Sequence, residues 1–502
     1  MEDIEDPDHS GENDPEPGSG LDVPGYRGAA APARSYPALA WAAIAACTIL
    51  TVYAQNNTEL PADDARAGNL TRDAMLDFQG RYWVAAAELA RREGVELETG
   101  LEFLDSGDPS QRLRYLVLLG ELEGPKRALE ELEELRGRLR EAGVELTEKQ
   151  AAVSTLLESL WSAAIENEEP AVKLELDEKD RLVLTGELGW YGELARATFA
   201  PGGAPPPGGP HEAARETLNS AVVMFLCGGT ALLLGVLALA FFFRAVAQKR
   251  LKIGIGGQAS FGGIYLETFA VWMGLFILLN LVLGRLELAG ESLYPALFMF
   301  FFSLAALTWP LLRGVSWARL RADIGLTTGK SAVEELIFGL LGYLMALPMM
   351  LLGVMFFLVI MFFSGPAVPA AGAEFEPVSY PSHPIMEWIL ADGGDFMVVV
   401  VLACVAAPIV EEIMFRGLLY RYLREASLQR GLFSSALISA LVSSFLFAVI
   451  HPQGLAAVPI LMGLAGGFCL VREWRASLLS SMVAHGLNNY IALSMTRFIL
   501  GG

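Results

Sequence analysis

Residues 293–312 read LYPALFMFFFSLAALTWPLL, twenty positions without one Asp, Glu, Lys, Arg or His. A helix needs about 20 apolar residues to cross the hydrocarbon core of a bilayer. Residues 221–243, AVVMFLCGGTALLLGVLALAFFF, repeat the pattern. Buried helices of soluble domains seldom run so far uncharged, so the chain is an integral membrane protein. Its 53% hydrophobic content and positive mean hydropathy agree. Working outward from 293–312, spans are read near 36–54, 218–243, 262–284, 333–363, 394–420, 431–451, 454–471 and 476–499. The predicted fold is an all-α, polytopic transmembrane helix bundle of about nine spans with a helical extramembrane domain. The 333–363 window exceeds one crossing, an excess that tilt or a kink at Pro348 absorbs.

The net charge of −21 is unevenly spread. Residues 1–35 are rich in Asp, Glu, Pro and Gly, too poor in large apolar side chains to offset the entropy of ordering, and are predicted to be disordered. The apolar run at 36–54 follows a long acidic tail rather than a basic one, so it reads as a retained anchor and not a signal peptide. Residues 55–217 hold most of the remaining acid. There Leu129, Leu132, Leu135, Leu156, Leu157 and Leu160 recur at helical spacing. An acidic helical domain is expected, joined to the next span by a Pro/Gly linker at 201–210. Transmembrane helices then occupy 218–363, and 394–500 is the last membrane unit. Cys47, Cys227, Cys404 and Cys469 all lie in apolar stretches with no CxxC pair, which argues against a disulfide framework or a thiolate zinc site. The acidic balance argues against nucleic acid as a partner.

Lys and Arg gather in alternate connections: Arg244/Lys249/Arg250/Lys252, Arg313/Arg319/Arg321/Lys330, Arg421/Arg424/Arg430 and Arg472/Arg475. Under the nine-span reading all four fall on one side, predicted to be cytoplasmic. The 55–217 domain is then extracytoplasmic and available to a partner. A bacterial cytoplasmic membrane is the expected location.

Ionisable side chains inside spans are expensive and mark function by default. The apolar run Phe396–Val410 leads directly into Glu411-Glu412-Ile-Met-Phe-Arg416. Phe447-Ala-Val-Ile-His451 and His485-Gly-Leu-Asn-Asn489 follow in later spans. Glu412 and Arg416, four apart, share a helix face and can pair. Glu411 is turned about 100° from Glu412 and is left for proton chemistry. His485 and Asn489 also share a face. A carboxylate, two imidazoles and a carboxamide can therefore converge from three spans. Two mechanisms suit them. A zinc ion on Glu411, His451 and His485 lowers the pKa of its water to about 7. Alternatively Glu411 activates water as a base with His451, while His485 and Asn489 stabilise the oxyanion of an amide. No HExxH helix occurs, so the metal-free version is preferred, with zinc kept as the alternative cofactor.

EExxxR, FxxxH and HxxxN, in that order across consecutive spans at 394–490, resemble the motifs of the CPBP (CAAX prenyl protease and bacteriocin-processing) intramembrane proteases. That family includes the type II CAAX prenyl endopeptidases and is often labelled metalloprotease. Arg321-Ala-Asp-Ile-Gly-Leu326 resembles a segment commonly found upstream of that core. The resemblance implies an endopeptidase acting on membrane-associated or lipidated substrates. It implies Glu411 as the water-activating residue with His451 as its partner, and His485 and Asn489 as oxyanion or ligand groups. Glu412 and Arg416 support them.

One geometric expectation is at odds with the rest. Counted from Arg421 as a membrane edge, Glu411 lies about 15 Å deep, whereas His451 lies roughly 30 Å along from Arg430. Two other functional classes fit the pattern. One is a non-catalytic scaffold or bacteriocin-immunity-type protein that keeps the polar network for structure. The other is a transporter with a proton relay, which calls for inverted repeats that the sequence does not display.

Overall fold

A computed structural model describes residues 34–57, 62–95, 101–105, 107–166, 176–199, 208–251, 253–255, 261–285, 292–364, 375, 388–389 and 394–501. The acidic tail to residue 33, most of the Pro/Gly linker, His9 and His383 lie outside the described residues. Among the described residues every regular element is helical.

The anchor α1 (Pro37–Asn57) leads into six helices that build the acidic domain: α2 (Ala62–Glu93), α3 (Pro109–Leu122), α4 (Pro125–Ala142), α5 (Glu148–Glu166), α6 (Glu178–Leu188) and α7 (Trp190–Phe199). α3 starts on a capping box, in which Asp108 accepts from the backbone of Gln111 and the Gln111 side chain returns to Asp108, with Pro109 at the first helical position. The leucine stripe read from the sequence does bury. Leu132, Leu135, Leu157 and Leu160 share one buried core with Trp161, and Leu129 and Leu156 pack against it partly buried. Burial and hydrogen bonding hold this core in place: the Tyr191 hydroxyl donates to the Leu76 carbonyl at 2.6 Å.

The remaining helices are α8 (Pro210–Ala247), α9 (Gly262–Arg285), α10 (Tyr294–Leu312), α11 (Trp317–Ile324), α12 (Ala332–Ser364), α13 (Phe396–Arg430), α14 (Leu432–Val449), α15 (Val458–Arg475) and α16 (Leu479–Gly501). Among the described residues eight helices are long and apolar enough to cross a membrane: α1, α8 to α10, and α12 to α15. The chain is thus a polytopic helical membrane protein. α16, the ninth expected span, falls short because its polar run His485–Asn489 lowers its hydropathy. It nevertheless packs against α12 and α15 as one of the bundle. α12 continues helically through Pro348.

The four basic connections meet at one end of the bundle. Gly254 N donates to Glu473 O at 2.9 Å, and Arg421 donates to Ile255 O at 3.0 Å. Leu478 N donates to Gly325 O at 2.8 Å. Arg475 sits between Glu334 (3.0 Å) and Glu335 (2.7 Å) at the start of α12. The Glu334–Glu335 pair is therefore the counter-charge of Arg475 on α15, and Glu335 is fully buried.

α13 and α14 form a hairpin that positions the site. Gly431 makes the turn at φ +92°, a left-handed conformation that a side chain would strain. Ser435 Oγ donates to Arg424 O at 2.9 Å, and Ser443 Oγ to Phe415 O at 3.4 Å, fixing the register. α13 runs 35 residues and α14 only 18, so α14 ends beside the middle of its partner. Glu411 and His451 each stand twenty positions from Gly431 and arrive at one level. The mismatch of depth expected from the sequence disappears. Arg421 and Arg424 do not mark a membrane edge: both are buried in the bundle, 4% and 6% exposed. Arg424 is neutralised by Glu473 at 2.5 Å, which also accepts from Tyr420 at 2.9 Å.

Among the described residues the domain touches the far end of this assembly through several contacts. α2 packs along α8 and α16. Gln55, at the end of α1, donates to Ile450 O at 2.9 Å, one residue before His451. Phe375, from the connection between α12 and α13, is buried in the domain core with the Arg112 guanidinium 4.8 Å from its ring centroid.

Candidate active site

Glu411 and Glu412 lie where α13 changes winding. Leu402–Ala406 and Glu412–Leu419 are π-helical, with wider turns that are frequent at functional sites. The change in winding helps send the two adjacent carboxylates in different directions. Glu412 enters the packed interior, where it and Arg416 are both fully buried and pair at 2.9 Å. Arg416 also donates to Ala465 O at 3.2 Å. Its guanidinium is held between the rings of Phe447 and Phe468, 4.6 and 5.3 Å from their centroids. Two aromatic faces and a carboxylate replace the water lost by this cation.

Glu411 turns to the two histidines. His451 Nε2 lies 3.9 Å and His485 Nε2 lies 3.7 Å from Glu411 Oε2. The second nitrogen of each ring is committed. His451 Nδ1 is 2.6 Å from Phe447 O, which can only accept, so this nitrogen carries the proton. His485 Nδ1 is 3.0 Å from Glu412 Oε1, the carboxylate that Arg416 keeps charged, so it too donates. Both Nε2 atoms therefore face Glu411 as lone-pair acceptors in the neutral rings. Glu411 and His451 are partly exposed, 15% and 18%, whereas His485 is 4% exposed at its side chain. Separations above 3.5 Å between three acceptors suit a bridging water, whose two hydrogens can satisfy two of them.

The structure brings together Glu411, Glu412, Arg416, His451 and His485 as the sequence predicts. His451 differs in one respect: it is not inside a span but two residues past Val449, and its bond to Phe447 O closes the end of α14. Asn489 sits one turn beyond His485, but its Nδ2 donates to Ala403 O at 2.8 Å in the first π-helical segment. Its Oδ1 accepts from Asn488 at 3.2 Å. Gly486 permits this approach, since a Cβ there would stand 2.5 Å from Cys404 O. Sequence reasoning missed what α15 supplies, the Ala465 carbonyl and the Phe468 ring. An aromatic residue in an apolar helix gives no signal to find it by.

The donor set is wider than a zinc shell. Bonds of 2.0–2.1 Å in a tetrahedral shell put ligand atoms about 3.3 Å apart. The Glu411–His451 and Glu411–His485 separations are wider, at 3.9 and 3.7 Å. Among the described residues no group of three His, Cys, Asp or Glu side chains is set to hold a metal ion. As arranged, the trio does not fit the ion.

Residues 393–491 match the family described as Rce1-like, type II CAAX prenyl endopeptidase. This segment is an Rce1-like domain. The match takes in α13 to α15, most of α16 and all six residues of the constellation, and makes this C-terminal part similar to the CAAX-type intramembrane proteases. The acidic domain and the helices before 393 lie outside the match. No curated protein and no solved structure matches the chain.

Proposed function

We propose that the chain is an intramembrane endopeptidase that cleaves peptide bonds of membrane-associated or lipidated substrates with water activated by Glu411. The observation that carries this reading is the convergence of Glu411, His451 and His485 with both Nδ1 atoms committed elsewhere. A water held between Glu411 and His451 Nε2 gives its proton to Glu411 as its oxygen bonds to the substrate carbonyl carbon. The C–N bond then breaks, and that proton passes to the departing amine, leaving a new carboxylate and a free amino terminus. His485, when protonated, presents Nε2–H to the oxyanion while Glu412 stabilises its charge through Nδ1. The Asn489 amide has two N–H groups; Ala403 takes one, and the family resemblance casts the other as a second oxyanion donor. Glu412 and Arg416 are positioning residues. A site midway along an apolar helix favours substrates delivered within the bilayer. We place the basic end of the bundle in the cytoplasm and the acidic domain on the opposite side, where a partner can reach it.

The test is Glu411→Gln, assayed with a quenched farnesylated CAAX-type peptide and with membrane extracts in proteoliposomes. Loss of at least about 100-fold in rate, with folding intact, is expected for removal of a general base. Unchanged processing in this variant sinks the protease reading.

A further inference from the structure

α15 carries none of the family's motif residues, yet it forms the floor of the site. We infer that Phe468 is a positioning residue for the reaction: it fixes the plane of His485 and holds the Arg416–Glu412 pair that orients it. This inference rests on the protease reading above.

Three observations meet at this ring. Phe468 is fully buried. It stacks on the His485 imidazole with centroids 5.0 Å apart and planes at 24°. Its ring also lies 5.3 Å from the Arg416 guanidinium, whose Nη2 is anchored to Ala465 on the same helix. Phe447 completes the enclosure, edge-on to His485 at 5.8 Å and beneath Arg416.

The geometry explains why a flat ring is required. His485 has two tasks at opposite nitrogens, Nδ1 to Glu412 and Nε2 toward Glu411. Rotation about Cβ–Cγ by a few tens of degrees would carry both nitrogens off their partners. The hydrogen bond to Glu412 resists that rotation from one edge of the ring only. The stacked face of Phe468 adds a second restraint, because further tilting of the imidazole drives its edge toward the Phe468 ring. An aliphatic side chain of similar volume fills the space without defining a plane. The electron-rich face also favours its cationic neighbour, Arg416.

The experiment uses the full chain in nanodiscs with ¹³Cε1-labelled histidine, whose five signals are few enough to assign by His485→Gln. In Phe468→Leu the His485 signal should move as the ring-current shift is lost, and broaden as the imidazole samples more than one orientation. With the farnesylated peptide, kcat should fall at least tenfold while KM stays within twofold. A series with one, two and three fluorines on Phe468 keeps shape and folding but weakens the electron-rich face, and kcat should decline stepwise. An unchanged His485 signal in Phe468→Leu, or a flat response to fluorination, overturns the assignment. A wild-type protein that cleaves neither the peptide nor any membrane protein counts against the protease reading instead, and the histidine spectra still decide the positioning of His485.

Discussion

His485 Nδ1 lies 3.0 Å from Glu412 Oε1, the same oxygen that receives Arg416 Nη1 at 2.9 Å. One buried carboxylate oxygen thus joins the cation that keeps it charged to the imidazole that it orients. Removing either charged partner strands the other without water. Glu412→Ala or Arg416→Met should each lower stability by about 3–5 kcal/mol. The double variant Glu412→Leu/Arg416→Met should recover part of that loss, because neither charge remains. Chemical unfolding of the detergent-solubilised protein measures the cycle, and single variants as stable as wild type would contradict the pairing.

The spacing of Glu411, His451 and His485 leads to a prediction about metal. Protein dialysed against a chelator should retain its hydrolytic rate, and purified protein should carry far less than one zinc per chain. Stoichiometric zinc, with activity lost on chelation and restored by the ion, would overturn the water-activation scheme proposed for Glu411.

Asp77 supplies a pH dependence outside the membrane. Desolvation raises its pKa from an ordinary 3.8 to about 6; Arg114 and Arg81 oppose the rise and Asp73 adds to it. The folded domain therefore holds this proton more tightly than the unfolded chain does. The associated stability is complete below about pH 4 and is lost as pH climbs through 6, amounting to about 1–2 kcal/mol for a partly exposed group. Asp77→Asn should melt at a temperature that exceeds wild type by a growing margin between pH 4.5 and 7.5. A margin that stays constant over that range would refute the shift.

Phe375 joins the connection before α13 to the domain core under Arg112, itself fixed by Asp105 at 2.7 Å. Phe375→Ala should destabilise the domain by about 3–5 kcal/mol, as loss of a buried aromatic ring does. Hydrogen exchange should quicken in α3 and α4 while α15 is unaffected. Equal protection of α3 and α4 in variant and wild type would show that the ring is not part of that core.

The spans were legible because length and hydropathy are summed over many residues, so single errors cancel. The pairing of Glu412 with Arg416 was legible because helical spacing fixes it locally. The level of Glu411 relative to His451 was not, because Arg421 and Arg424 look like membrane-edge residues in sequence while Glu473 and backbone carbonyls let them be buried. The helix end before His451 was hidden for a related reason: Ala-Val-Ile450 continues the apolar run, and only the bond from His451 to Phe447 reveals where α14 stops. Phe468 and Phe375 were invisible as site and anchor, since aromatic residues carry no mark of which partner they will meet.

The hairpin at Gly431 acts as a gauge read in residues. Deleting one residue from either arm would slide its site residue by about 1.5 Å and turn it by about 100°. Glu411 and His451 would then face different neighbours, whatever the chemistry of the deleted side chain. The exposed apolar positions of α14, Leu432, Phe433, Leu437, Leu441 and Phe445, can exchange Leu, Ile, Val or Phe against lipid without moving the gauge. At those positions variation is free in side chain, whereas the number of residues between Glu411 and His451 is fixed, and any change of length in one arm calls for its match in the other.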